Sequence, residues 1–206
     1  MTVSPSRSLR TTAAAAVLAL FGLVGCGGGD NPFDNPADVE NPQLVSGQKL
    51  SFTYFQKCIN PIFLAQLQSS SGGTVKTNTC SSSGCHDNVN GTGGALRIVP
   101  QAQAIDLADP ANTADVIRLS DMYKNFYSAQ GSAVIVSPTQ SRLLAKPLLM
   151  NVLHGGGLIF ESDQDPLAKL IAYWITHPVP AGSDEFSPSN GLFTPADAAT
   201  GACNSQ

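Results

Sequence analysis

Thr79-Cys80-Ser81-Ser82-Ser83-Gly84-Cys85-His86 sets two cysteines close together, with a histidine directly after the second. Two thiols beside an imidazole have three plausible uses. They can add across the vinyl groups of a haem to give thioethers, with the histidine delivered to the iron as its proximal ligand. They can close a disulfide across a short loop and leave the histidine a bystander. All three can bind zinc, which then lacks a fourth ligand nearby. The order favours haem attachment, because the histidine follows the second cysteine without a gap. The usual form has two residues between the cysteines. Here there are the four from Ser81 to Gly84, all small enough to bulge without pulling the anchors apart.

The N-terminal segment decides the expected compartment. Met1 to Arg10 carries Arg7 and Arg10 and no acid, and the apolar run Ala13 to Val24 is too short to cross a bilayer as a stable helix. Residues 1–25 therefore read as a signal peptide. Leu23-Val24-Gly25-Cys26 resembles the lipobox of bacterial lipoproteins, which implies cleavage before Cys26 and acylation of that cysteine. The alternative is an ordinary secretory signal cut nearby. Several acyl chains on one residue would anchor the protein on a membrane facing the periplasm, not in it. Gly27, standing where aspartate would favour inner-membrane retention, slightly prefers the outer membrane.

The net charge of −4 becomes more negative by two when Arg7 and Arg10 are removed, and no basic cluster remains, so nucleic acid is not an expected partner. Residues 26–47, with three successive glycines and the pairs Asn31-Pro32, Asn35-Pro36 and Asn41-Pro42, read as a flexible tether.

The domain expected over 48–180 opens with Phe52, Phe55, Ile59 and Ile62 or Phe63 at helical spacing, with Pro61 kinking that helix or starting a second one. Ser69 to Gly73 reads as a loop, and Thr74 to Thr79 as a β-prone lead into the cysteine pair. Asp87 to Gly94 is turn-rich and ends in Ala95-Leu96-Arg97-Ile98-Val99, apolar enough to join the core or cover a haem edge. No Gly-Lys-Ser/Thr closes this glycine run, so nucleotide binding is rejected. A helix is expected from Asn112 or Thr113 to Gln130, with Asp121 capping a break and Gly131 ending it. Ala133 to Val136 reads as a strand or extended piece. Ser141 should begin a helix that Pro147 interrupts. Asp165-Pro166 should open the last one, burying Leu167, Leu170, Ile171 and Trp174 on one face.

These pieces together resemble c-type cytochromes. The similarity covers about Ser51 to Pro180: Pro61-Ile62-Phe63 before the cysteines, the widened cysteine-histidine motif, Gly93-Gly94-Ala95-Leu96-Arg97-Ile98 after it, Ser137-Pro138 with Ser141, Leu143 and Leu144, and Tyr173-Trp174-Ile175. The resemblance implies a mainly α fold, a small cytochrome c-like helical domain with long loops. It also implies one covalent haem c on Cys80 and Cys85, and a C-terminal helix packed across the first.

His86 would be the proximal ligand, which leaves the opposite face of the iron for a second residue. Many relatives carry Met-Pro in the distal region, and this chain does not. His154, followed by three glycines that let backbone pass close to a flat macrocycle, is preferred over Met150, with Met122 a further candidate. His177 reads as a partner for the last helix's C-terminus. Residues 181–206 read as a tail laid over the domain. With Cys26 acylated and Cys80 and Cys85 engaged, Cys58 and Cys203 remain as a candidate disulfide.

The functional expectation is a membrane-anchored electron carrier that passes electrons to a redox partner protein. A haem-free envelope lipoprotein with a binding or structural role is the alternative, and a haem enzyme or sensor with an open sixth position is a third reading. No nucleophile elbow or Ser-His-Asp order suggests a hydrolase.

Overall fold

Ser51 begins the folded body by capping a short helix: its hydroxyl accepts the Tyr54 N–H, and its carbonyl receives the Trp174 indole N–H at 3.0 Å. The computed structural model describes residues 47–187 and 196–203. Residues 1–25, read above as a signal peptide, Cys26, nearly all of the stretch read as a tether, and Leu192 and Phe193 lie outside the described residues.

The first helical stretch is composite: α1 (Phe52–Tyr54), a widened π turn over Phe55–Ile59, then α2 (Asn60–Leu64). Pro61 has no N–H and would press on the carbonyl four residues back in a regular helix. The widened turn, in which Asn60 N–H reaches Phe55 O, absorbs that conflict. Phe52, Phe55, Ile59, Ile62 and Phe63 are all buried, as their spacing predicts.

A hairpin follows, β1 (Leu67–Ser71) against β2 (Thr74–Asn78), turning at Gly72 and Gly73, both with positive φ. This type of two-residue turn needs that backbone at both positions and fits the strands' own twist. The segment 74–78 is extended as expected. Ser69 to Ser71, read as loop, is instead part of its partner strand.

The helix expected from residue 113 to 130 is two helices, α3 (Ala114–Arg118) and α4 (Asp121–Gln130), and the cap of the second is Ser120, not Asp121. Gly131 ends α4 as expected. Ile117, Met122 and Phe126 are buried, whereas Val116 and Tyr127 face outward. Val134 to Val136 forms a turn with Val136 at φ 67°, not a strand. Next come α5 (Arg142–Ala145), preceded by Ser141, whose hydroxyl bonds Val134 and Ser137 rather than the helix, and α6 (Pro166–Thr176), capped by the Asp165 side chain.

A mainly α fold is not what the chain adopts. The fold is a small mixed one of short helices and a hairpin joined by long irregular segments. Glycine, proline and serine punctuate the chain so often that no α-helix among the described residues exceeds the 11 residues of α6.

One aromatic cluster holds these pieces together. Trp174 of α6 packs on Phe55 (5.5 Å between ring centres) and Phe126 of α4 (6.2 Å), and Phe126 meets Phe52 edge-on at 5.5 Å. Irregular segments are fixed to this core by side chains that stand in for a sheet partner. Gln56 bonds both the N–H and the carbonyl of Ile105, and buried Asn125 does the same for Val99.

The tail docks in two places. Buried Glu185 accepts from Lys49 (2.7 Å), Arg118 (2.9 Å) and Tyr123 (2.7 Å). Cys203 is disulfide-bonded to Cys58, with Cα atoms 6.3 Å apart across a separation of 145 residues.

Replacing Cys58 and Cys203 by serine should lower the unfolding free energy by roughly 3–5 kcal/mol, read by urea denaturation, since the bridge closes a long loop in the unfolded chain. Glu185 sets a pH dependence. Burial alone raises its pKa, but the bonds from Arg118, Lys49 and Tyr123 more than reverse this and hold it down at about 2. A carboxyl depressed by folding stabilises fully above its unfolded value of about 4.3 and loses that contribution as pH falls through its folded value. Stability should therefore decline between about pH 4.5 and 2. The Glu185 share should be no more than about 3 kcal/mol, because Lys49 and Arg118 are partly solvated. In Glu185→Gln that share of the slope should vanish from acid titrations of stability.

Candidate functional site

The cysteine-histidine stretch leaves the end of β2 and is immediately tied to the core, where Ser81 N–H donates to Phe63 O at the end of α2 (3.1 Å). Its four inserted residues make a closed loop. Cys85 N–H bonds Ser82 O at 2.8 Å, and His86 N–H returns to Cys80 O at 2.9 Å. The extra length is thus taken up as a bulge while Cys80 and His86 stay hydrogen-bonded neighbours. Both Cys80 and Cys85 are free thiols, each partly buried, so neither is in the disulfide that was one reading of the pair. Burial, and then the nearby Cys85, push the Cys80 thiol up to about 11, which keeps it protonated at neutral pH.

His86 is oriented by the segment that follows it. Ile98 N–H donates to His86 O (2.7 Å) and Asn88 N–H to Ile98 O (2.9 Å), so the chain folds back and brings Leu96 O to 3.1 Å from His86 Nδ1. A carbonyl only accepts, so in the neutral ring the proton sits on Nδ1 and Nε2 keeps its lone pair. Gly93 lies directly against the ring: a Cβ there would stand 2.5 Å from Nδ1.

His154 is built the same way on the opposite wall. Its Nδ1 lies 2.7 Å from Gly157 O, again leaving Nε2 free, and Gly157 N–H closes the turn on His154 O at 2.8 Å. The loop is clamped to the hairpin by reciprocal bonds between Ser70 and Leu158 (2.8 and 2.9 Å). Gly157, at φ 80°, permits this: a side chain there would collide with Ser70 O. The hairpin thus joins both walls, because β2 leads into Cys80 and β1 holds the loop of His154.

The two imidazoles are nearly parallel, 14° between planes, with ring centres 6.2 Å apart. Two imidazoles sharing one metal ion through bonds of about 2.0–2.1 Å would have ring centres about 6 Å apart, a separation this pair matches. Burial is the largest influence on both and lowers their pKa values. The carbonyl of Leu96 or Gly157 partly offsets it, and nearby charges, Lys146 for both, lower them further. Both rings are therefore neutral at neutral pH, the form that can donate a lone pair to a metal.

The other candidates are not placed this way. Met150 lies on the turn after α5 and is 36% exposed, whereas Met122 is buried in the core cluster at 2%. His177 caps α6, stacked on Tyr173 at 3.8 Å with Nδ1 2.8 Å from Tyr173 O, as expected for a helix-end residue. Among the described residues no three His, Cys, Asp or Glu side chains converge on a common point, so the zinc reading of Cys80, Cys85 and His86 has no support.

Sequence reasoning did not find the orienting carbonyls of Leu96 and Gly157 or the Ser70–Leu158 clamp. The glycines beside each histidine were the visible sign that backbone comes close to the rings. Comparison with family models, curated proteins and solved structures finds no match for this chain.

Gly93→Ala should displace the His86 ring and weaken its bond to Leu96 O. Nitrogen NMR of the imidazole should show the Nδ1–H form dominant in the wild type and a mixed tautomer population in the variant.

Proposed function

We propose that this protein is a c-type cytochrome lipoprotein that carries electrons at the cell envelope, and that Cys80, Cys85, His86 and His154 would hold one haem c. The observation that carries this reading is the pairing of His86 with His154: parallel imidazoles, each with Nδ1 tied to a carbonyl and Nε2 free, beside two free thiols. Bound haem would supply a one-electron couple.

The chain's own residues do the rest. Cys80 and Cys85 fix position through two sulfurs, and the inserted loop Ser81 to Gly84 lets them do so without disturbing the His86–Cys80 backbone bond. Leu96 O and Gly157 O hold the imidazoles in orientation and raise their basicity as ligands. Cys26, acylated after removal of 1–25, would anchor the protein through the 26–47 tether, with the outer membrane slightly preferred. A redox partner protein would dock from the periplasm.

A haem-free lipoprotein with a binding or structural role is the second reading, favoured by the Cys58–Cys203 bridge, which stabilises the fold without any cofactor. Expression with cytochrome maturation factors separates the two. A product with one added tetrapyrrole mass and sharp reduced α and Soret bands that survive acid-acetone extraction supports the cytochrome. A colourless product of unmodified mass overturns it.

Carbon monoxide should not bind the reduced wild type, should bind the reduced His154→Ala variant, and should not bind Met150→Ala. Binding to the wild type would favour an open-site enzyme or sensor.

A further inference from the structure

The 15 acidic residues of the chain are unevenly spread, and none falls within residues 41–86 or 122–160. The fold brings parts of those two stretches together. The first contains the hairpin, the second contains α5 and the loop of His154, and the Ser70–Leu158 bonds join them. This region carries Lys76 on β2, Arg142 on α5 and Lys146 at the end of α5, with Asp87 and Glu161 the first acids beyond it in the chain. A protein of net charge −4 thus has one region of the opposite sign.

The loop of His154 also turns apolar side chains outward. Leu149, Met150 and Leu153 are 41%, 36% and 60% exposed. Leu149 stands there against its own backbone preference. The chain leaves α5 through a closing turn in which Met150 N–H bonds Ala145 O (2.8 Å) and Leu149 N–H bonds Lys146 O (3.0 Å), and this puts Leu149 in the left-handed region at φ 52°. Glycine is the usual residue at that position, because a Cβ is crowded there. A leucine that suits neither its backbone nor the core is explained by what it meets outside the fold.

Exposed apolar tips rimmed by cations fit an anionic lipid surface: the side chains enter the headgroup layer and the cations lie beside the phosphates. We propose that loop 149–153 is a second, non-covalent membrane contact, which lays the hairpin side of the domain on an anionic bilayer. The inference rests on the reading of Cys26 as a lipid anchor, which would hold the domain beside such a surface. Only residues 27–46 separate Cys26 from the described body, and a flexible chain of that length spans about 25 Å.

The test uses the mature chain from residue 26 onward, carrying Cys26→Ser and exported behind an ordinary secretory signal with maturation factors, so that no acyl chain holds it. Binding is read by flotation with vesicles of phosphatidylethanolamine and phosphatidylglycerol, against vesicles of phosphatidylcholine alone. The chain should bind the anionic vesicles more tightly, and added salt should weaken that binding. Leu153→Asp should weaken it about tenfold and Leu149→Gly about threefold. Leu119→Asp, at a site 80% exposed between Asp115 and Asp121, should leave it unchanged. Leu149→Gly should also raise the unfolding midpoint, since glycine suits that backbone, so its weaker binding is separated from a folding defect. Failure of the starting chain to bind anionic vesicles, or undiminished binding by both Leu149→Gly and Leu153→Asp, overturns the inference. Self-association without lipid that Leu153→Asp abolishes also overturns it, because a second copy then covers the loop. A native product without acyl mass overturns the anchor reading, and the flotation result, obtained without acyl chains, still decides this contact.

Discussion

Irregular backbone buried without a partner strand leaves its N–H and carbonyl groups in need of hydrogen bonds, and this chain meets that need with side chains. Gln56 bonds both polar groups of Ile105, Asn125 those of Val99, and Ser128 accepts the Arg97 N–H at 2.6 Å. An unpaired buried group would be costly, so these few residues decide where the long connection after His86 can lie. Asn125 donates to Asn60 at 2.9 Å as well, joining that connection to the first helical stretch and α4 at once. The placement of Leu96 O, and through it of the His86 ring, follows from this arrangement.

The site inherits its symmetry from two separate solutions to one problem. An imidazole that is to present Nε2 must have Nδ1 occupied, and a backbone carbonyl does this on both walls. For His86 it comes from a segment folded back by a parallel bridge between Asp87 and Ile98. For His154 it comes from a tight turn ending in glycine. Burial then keeps both rings neutral. The hairpin is exposed along most of its length and adds little to the core, yet it connects the walls. Its role is geometric, in that it limits how far the His154 loop can swing from Cys80.

Helices were legible where apolar spacing and caps agreed. Asp165-Pro166 with the stripe ending in Trp174 gave α6, and Gly131 marked the end of α4. The strand β1 was not legible, because Leu67-Gln68-Ser69-Ser70-Ser71 has no alternating apolar face. Its pairing comes from the Gly72-Gly73 turn and from Leu158, far along the chain. The expectation of a mainly α domain failed for a related reason. The helical spacing is genuine, but it is distorted into a widened turn ahead of Pro61, broken at Ser120 and stopped before Pro147, and the residues between are held by long-range polar bonds that no local pattern announces.

From the order of residues alone came the chemistry: two thiols with a histidine beside them, a second histidine before three glycines, and a leftover cysteine pair suited to bridging. These depend on residue type and short spacing, which a linear chain displays directly. Whether His86 meets His154 or Met150, which carbonyls set the imidazole tautomers, and where Glu185 and Cys203 bring the tail were decided only by the tertiary structure. Each of those depends on groups far apart in the chain meeting in a buried space, where unpaired polar atoms are too costly to leave and only one arrangement satisfies them together.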